Sequence, residues 1–122
     1  MPKTILIVDD SECIRDILNF TLENAGYTVL SAIDGFDAIK YLDGREINLV
    51  IADLYMPNLN GIELVRKVRT KADYKNIPVF ILTTESQQDK KLIAKDVGAT
   101  GWLVKPFVPE KLLAAIKRVL PD

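Results

Sequence analysis

The feature that most constrains this chain is a set of short, continuous apolar runs: Thr4 to Val8, Thr28 to Ala32, Leu49 to Ala52, Val79 to Leu82 and Trp102 to Val104. A strand with one solvated face alternates apolar and polar residues, whereas a strand covered on both faces does not, so these runs predict strands of a buried parallel sheet. Segments of helical period separate them. Ile14, Ile17, Leu18, Thr21, Leu22 and Ala25 fall on one stripe that stops at Gly26. Asp34, with Asp37 one turn on, predicts the start of a second helix, and Ile62, Val65, Val68 and Arg69 mark a third after Gly61. Ser86 with Asp89 predicts the start of a fourth, ending at Gly98. Pro109 opens the last, with Leu112, Leu113, Ile116, Val119 and Leu120 on one face before Pro121 and Asp122. Repeated strand-then-helix units demand right-handed crossovers and helices on both faces, which is the doubly wound α/β class.

At 122 residues, 48% apolar and 27% charged, the chain has the size and core of one ordinary domain, expected to span residues 1–122. The formal net charge is -1, with 16 basic and 17 acidic residues mixed along the sequence. That balance leaves no basic face for nucleic acid or an anionic membrane, so neither is expected as a direct partner. No apolar run approaches the roughly 20 residues of a spanning helix. Met1-Pro2-Lys3-Thr4 leads into a strand rather than a secretory leader, and a cytoplasmic location is expected. Cys13 is the single cysteine, so no intrachain disulfide forms, and with only Arg15 as a basic neighbour it reads as a packing thiol on a helix. The absence of histidine removes imidazole metal sites, imidazole triads and any role as a phosphohistidine carrier.

The first run, Ile5-Leu6-Ile7-Val8, ends on two adjacent carboxylates, Asp9 and Asp10, and the third ends on Asp53. In open parallel sheets the functional groups gather beyond the carboxyl ends of the strands, and in the doubly wound order 2-1-3-4-5 strands one and three are neighbours. Each Asp alone reads equally well as a cap or turn residue. Three converging carboxylates repel one another unless something positive lies among them, and an all-oxygen site suits a hard divalent cation, Mg2+ best. Thr83 and Thr84 after the fourth run and Lys105 after the fifth add hydroxyl and ammonium groups, both phosphate ligands. A carboxylate is ionised at neutral pH, so Asp53 can attack phosphorus without a general base and form an acyl phosphate. Phosphorylation would add about one negative charge and acceptor oxygens, toward which the Thr83 hydroxyl would be drawn.

Asp9-Asp10, Asp53, Thr83 and Lys105-Pro106, with DLYMPNLNG at 53–61 and VKPF at 104–107, resemble the receiver domain of two-component response regulators. The similarity is greatest to single-domain, CheY-like chemotaxis receivers and covers essentially the whole chain. It implies a flavodoxin-like (βα)5 fold, a five-stranded parallel sheet of order 2-1-3-4-5; that order belongs to the resemblance and is not an independent derivation from periodicity. It implies that Asp53 is the phospho-acceptor, that Asp10, Asp53 and the backbone carbonyl of Tyr55 coordinate Mg2+, and that Asp9 positions the metal through water. Lys105 would bind the phosphoryl group. Thr83 and Trp102 would form a switch pair, the hydroxyl moving to the phosphate and the ring swinging inward, so that the face of the fourth helix, fifth strand and fifth helix changes its affinity for partners. Without the resemblance Trp102 reads as an ordinary core aromatic. Lys105-Pro106 is a candidate cis peptide by the same route.

Some positions depart from the family's usual residues. Tyr55 and Glu85 lie two residues beyond Asp53 and Thr83, where receivers vary and tune dephosphorylation, and Tyr55 is bulky enough to restrict attacking water. Thr84 stands where a very small residue is usual, which would slow access of the phosphodonor, and Trp102 is larger than the usual Tyr or Phe.

The expected function is a phosphorylation-controlled signalling module, an enzyme only toward its own phosphorylation and dephosphorylation. The resemblance implies a sensor histidine kinase as donor, a downstream target such as a flagellar motor switch protein, a phosphatase among the partners, and a monomeric state. Three rivals remain. A haloacid-dehalogenase-like phosphatase needs a second Asp two residues after the nucleophile, where this chain has Tyr55. A binding module that keeps the fold without phosphorylation would not need the intact acids and Lys105. The third is the receiver of a longer DNA-binding regulator.

Overall fold

Alternation of side chains across each strand gives this protein two apolar surfaces, and each finds its own helices. The computed structural model describes residues 2–84 and 88–120. The elements follow as β1 (Thr4–Val8), α1 (Glu12–Asn24), β2 (Thr28–Ala32), α2 (Gly35–Tyr41), β3 (Leu49–Ala52), α3 (Gly61–Thr70), β4 (Val79–Thr83), α4 (Gln88–Asp96), β5 (Gly101–Val104) and α5 (Pro109–Val119). All strand pairings are parallel, in the order β2-β1-β3-β4-β5, the expected flavodoxin-like topology. Leu6, Val8, Val50, Ala52 and Ile81 face α2, α3 and α4 through Ala38, Leu64, Val65, Val68 and Ala94. Ile5, Ile7, Ile51, Phe80 and Leu82 face α1 and α5 through Leu18, Leu22, Leu112 and Ile116. Every one of these residues of β1, β3 and β4 is at most 3% exposed, which is why those runs are unbroken, whereas the edge strands β2 and β5, expected to be covered on both faces, are mostly only partly buried.

The helix starts are local chemistry. The Ser11 hydroxyl accepts from the Ile14 N–H and the Asp34 carboxylate from the Asp37 N–H, as the Asp34 and Asp37 spacing predicts. Asn60 and Glu63 cap one another reciprocally at the start of α3. Pro109 opens α5 without a side-chain cap. Ser86, expected to cap α4, lies outside the described residues, as do Glu85, Pro121 and Asp122. β4 extends one residue past its apolar run to Thr83, which pairs with Val104, and β5 begins one residue before its run at Gly101, which pairs with Phe80.

Two expectations for α1 are corrected. Its buried strip is only Leu18 and Leu22, with Ile14 partly covered, while Ile17 is 44% exposed and Ala25 is exposed as the C-cap. One residue is about 100° of rotation on a helix, enough to carry Ile17 off a narrow line of contact. Cys13, one turn before Ile17, turns outward with it and is exposed, so it is not a packing thiol. Among the described residues no helix is long and apolar enough to cross a membrane.

Candidate functional site

The pairing of β1 with β3 aligns Val8 with Ala52, so Asp9 and Asp53 leave the sheet side by side. The Asp53 N–H donates to the Val8 carbonyl at 2.9 Å and continues the ladder past the last paired residues. Carboxylate oxygens of Asp9, Asp10 and Asp53 all lie within 4.8 Å of one another. On the other side of β3, the Lys105 N–H donates to the Thr83 carbonyl at 2.7 Å, and the Lys105 side chain returns to the acids. Its Nζ stands 2.8 Å from Asp9 Oδ2 and 3.6 Å from Asp53 Oδ2. The Lys105-Pro106 bond is cis.

Asp9 is buried, Asp53 partly buried and Asp10 exposed. A buried carboxylate is costly unless paired and hydrogen-bonded, and Asp9 is both. Lys105 takes one oxygen, and the other accepts the Ser11 N–H at 2.9 Å. The Asp9 carbonyl accepts from Arg15 Nη1 at 2.7 Å, tying the same residue to the first turns of α1. Ser11 and Arg15 were not singled out for this role in the sequence. The Asp-to-Ser step two residues on was the available signal, since it is the spacing of a turn closed by a side-chain carboxylate.

Asp53 titrates above the usual carboxylate range. Burial is the main cause; Lys105 opposes it, Asp9 adds to it, a backbone hydrogen bond at Leu54 opposes it and Asp10 adds to it. One ammonium among three carboxylates leaves two formal negative charges uncompensated. An all-oxygen donor set with that charge fits a hard divalent cation, Mg2+ rather than a softer metal.

The loop after Asp53 is set by backbone contact. Gly61 N–H donates to the Leu54 carbonyl at 2.9 Å. A Cβ at Gly61 would stand 2.5 Å from the Asp53 carbonyl oxygen and 3.0 Å from Leu54 Cα. The segment DLYMPNLNG therefore closes on a residue that must be glycine, and it turns through Asn58 at φ 73°, a left-handed conformation that Asn tolerates. Tyr55, two residues beyond Asp53, is half-exposed.

Thr83 is fully buried at the end of β4. Trp102 pairs with Ile81, two residues before Thr83, so all three side chains stand on the face covered by α2, α3 and α4. The ring is partly buried against that core and borders a cavity of about 280 Å³ whose other walls include Lys91, Leu92 and Lys95 of α4. The structure thus brings together Asp9, Asp10, Asp53 and Lys105, with Thr83 buried on the neighbouring strand end, and sets Trp102 farther back beside α4. Thr84 is exposed, and Glu85 lies outside the described residues.

Comparison with known proteins agrees with this geometry. The family model of the response regulator receiver domain matches residues 5–117. The chain is 34% identical to the alkaline phosphatase synthesis transcriptional regulatory protein PhoP of Bacillus subtilis, over 98% of this chain and 49% of that protein. It is 38% identical to the phosphate regulon transcriptional regulatory protein PhoB of Pseudomonas aeruginosa, over 97% of this chain and 52% of that one. It therefore spans about half the length of these two relatives. Among solved structures, chemotaxis protein CheY4 of Vibrio cholerae superimposes with a TM-score of 0.94 at 44% identity, covering 98% of this chain and 99% of that one. Sheet order, rim chemistry and kinship converge, and the chain belongs to the response regulator receiver domains of two-component signal transduction.

Proposed function

We propose that residues 1–122 work as one receiver module in the cytoplasm and that Asp53 is its phospho-acceptor. The observation that carries this reading is the partly buried Asp53 carboxylate, 3.6 Å from the Lys105 ammonium and grouped with Asp9 and Asp10. An Asp53 oxygen attacks the phosphorus of a phosphohistidine on a sensor histidine kinase. The oxygen–phosphorus bond forms, the phosphorus–nitrogen bond breaks, and the electron pair returns to the imidazole, which takes a proton from solvent. Lys105 neutralises a phosphoryl oxygen during transfer and holds it afterwards. Asp10, Asp53 and the Tyr55 carbonyl would hold Mg2+, with Asp9 positioning it through water; the bound ion supplies positive charge to the phosphoryl oxygens. In dephosphorylation water attacks phosphorus, the bond between phosphorus and the Asp53 oxygen breaks, and the free carboxylate and inorganic phosphate result. The half-exposed Tyr55 ring beside the acceptor narrows the approach of that water and lengthens the life of the phosphate.

Phosphorylation adds about one negative charge and acceptor oxygens at the rim, and the buried Thr83 hydroxyl turns toward them. Trp102, on the same face, moves inward into the space Thr83 leaves, and the surface of α4, β5 and α5 changes its affinity for a downstream protein. A phosphatase resets the state, the module works as a monomer, and its only catalysis is on its own acceptor. Likeness to CheY4 over the full length of both chains supports a chemotaxis-type output such as a flagellar motor switch protein. A second reading has its own support: the two transcriptional regulators are about twice as long as this chain, so it can equally serve as the receiver part of such a protein.

The test is intact mass after incubation with acetyl phosphate, with Mg2+ or with a chelator, in wild type and Asp53→Asn, with Trp102 fluorescence read on the same samples. A single phosphoryl adduct that needs Mg2+ and is absent from Asp53→Asn is expected. An adduct retained by Asp53→Asn would overturn the acceptor, and none from acetyl phosphate or from a phosphorylated kinase would favour a phosphate-independent binding module.

A further inference from the structure

Arg69, which the apolar period of the third helix included only as a marker of its stripe, makes an unusual set of bonds. Its Nε and Nη2 donate to the Gly98 carbonyl at 3.2 and 2.6 Å, and its Nη1 donates to the carbonyls of Ile77 at 2.6 Å and Tyr74 at 3.5 Å. None of the ion pairs found among the described residues includes it. A partly buried guanidinium directed at backbone carbonyls works as a clip: one planar group joins the last turn of α3, the connection into β4 and the reversal after α4. Gly98 is that reversal. It sits at φ 106°, its N–H donates to the Lys95 carbonyl, and the Ala99 N–H donates to the Ala94 carbonyl. A cation there also meets the negative end of the helix dipole.

The rest of α4 is held thinly, and at the same end. Ala94, in its second half, is its single buried residue. In its first half Gln88 and Asp89 are exposed, and Lys91, Leu92 and Ile93 are exposed as well. The cavity beside Trp102 runs along both halves of α4, from Gln88 to Lys95, and on past its end to Gly101. The burial of Ala94 and the Arg69 clip thus hold the helix near its C-terminal end, over a cavity that extends beneath its whole length.

We propose that Arg69 is a positioning residue for α4: it pins the C-terminal end of the helix to α3, so that the placement of α4 over the cavity beside Trp102 depends on this one clip. The clip belongs to the unphosphorylated chain; only its coupling to phosphate rests on the function proposed above.

The experiment is hydrogen exchange by mass spectrometry on the unphosphorylated chain, comparing wild type, Arg69→Lys and Arg69→Met, with global stability measured by urea on the same preparations. Methionine keeps the stem and removes every donor, whereas lysine keeps the charge with a single donating group. In Arg69→Met the α4 amides should exchange roughly tenfold or more faster than loss of global stability explains, with the β1 and β3 amides following global stability alone. Arg69→Lys should lie between, and acrylamide should quench Trp102 more strongly in both. Acceleration shared equally by α4 and the sheet would overturn the positioning role and leave Arg69 a general fastener, as would unchanged α4 exchange. Should Arg69→Met not fold, the lysine variant reads the same contrast. In a second arm with acetyl phosphate and Mg2+, Arg69→Met should take the adduct as wild type does but lose the Trp102 response. No adduct in wild type would count against the proposed function while leaving the exchange result standing.

Discussion

Helices α3 and α4 cover the same face of the sheet and are held in opposite ways. α3 buries Gly61, Leu64, Val65 and Val68 and starts from a reciprocal Asn60 and Glu63 cap, whereas α4 buries Ala94 alone. The deeply packed helix is the one joined to the loop after Asp53, where Gly61 abuts the Asp53 carbonyl, and the thinly held one borders Trp102. On the function proposed above the difference is a division of labour: chemistry needs groups fixed to fractions of an ångström, while a response needs an element whose two positions differ little in free energy.

That contrast can be broken by substitution. The largest effect is expected at Leu64→Ala, a cavity in the packing under α3, at about 2–5 kcal/mol in urea unfolding, with phosphate uptake retained under native conditions. Gly61→Ala comes next, at about 1–3 kcal/mol, because the new Cβ meets backbone that cannot turn aside. Here phosphate uptake should fall more than stability explains, since the Asp53 carbonyl and the loop behind it must move; uptake at the wild-type rate would show that the close approach serves packing alone.

A smaller effect of opposite sign is expected at Asp53→Asn. Burial raises the Asp53 pKa above its unfolded value, so its contribution to stability is present below the unfolded pKa and is lost as pH rises through the folded one. At neutral pH in chelator the ionised carboxylate therefore opposes folding, and Asp53→Asn should unfold at higher urea than wild type. The gap should close as pH falls below about 4 and narrow when Mg2+ is added at neutral pH. Equal midpoints at every pH would mean that Lys105 compensates the buried charge in full. The smallest effect is expected at Leu92→Ala on α4, within about 0.5 kcal/mol, because half of that side chain is already in water.

The sheet was legible because each strand announces itself over three to five consecutive residues, and the acids were legible because each ends such a run. The strand order came through likeness to receivers, since periodicity carries no information on which strands are neighbours. Ile17 and Cys13 were assigned to packing, and the structure turns both outward, because the width of a helix's contact strip depends on what it rests against.

By itself the sequence determined the alternation of strand and helix, the cap at Asp34, and a carboxylate at the end of β1 and of β3, all properties set within a few residues of one another. The tertiary structure alone decided that Val8 aligns with Ala52 so the acids converge, that Lys105 reaches Asp9 across 96 positions, and that Arg69 closes on Gly98 across 29. Contacts between groups so far apart along the chain depend on register and on how each helix lies on the sheet, and both are settled by packing the whole core at once.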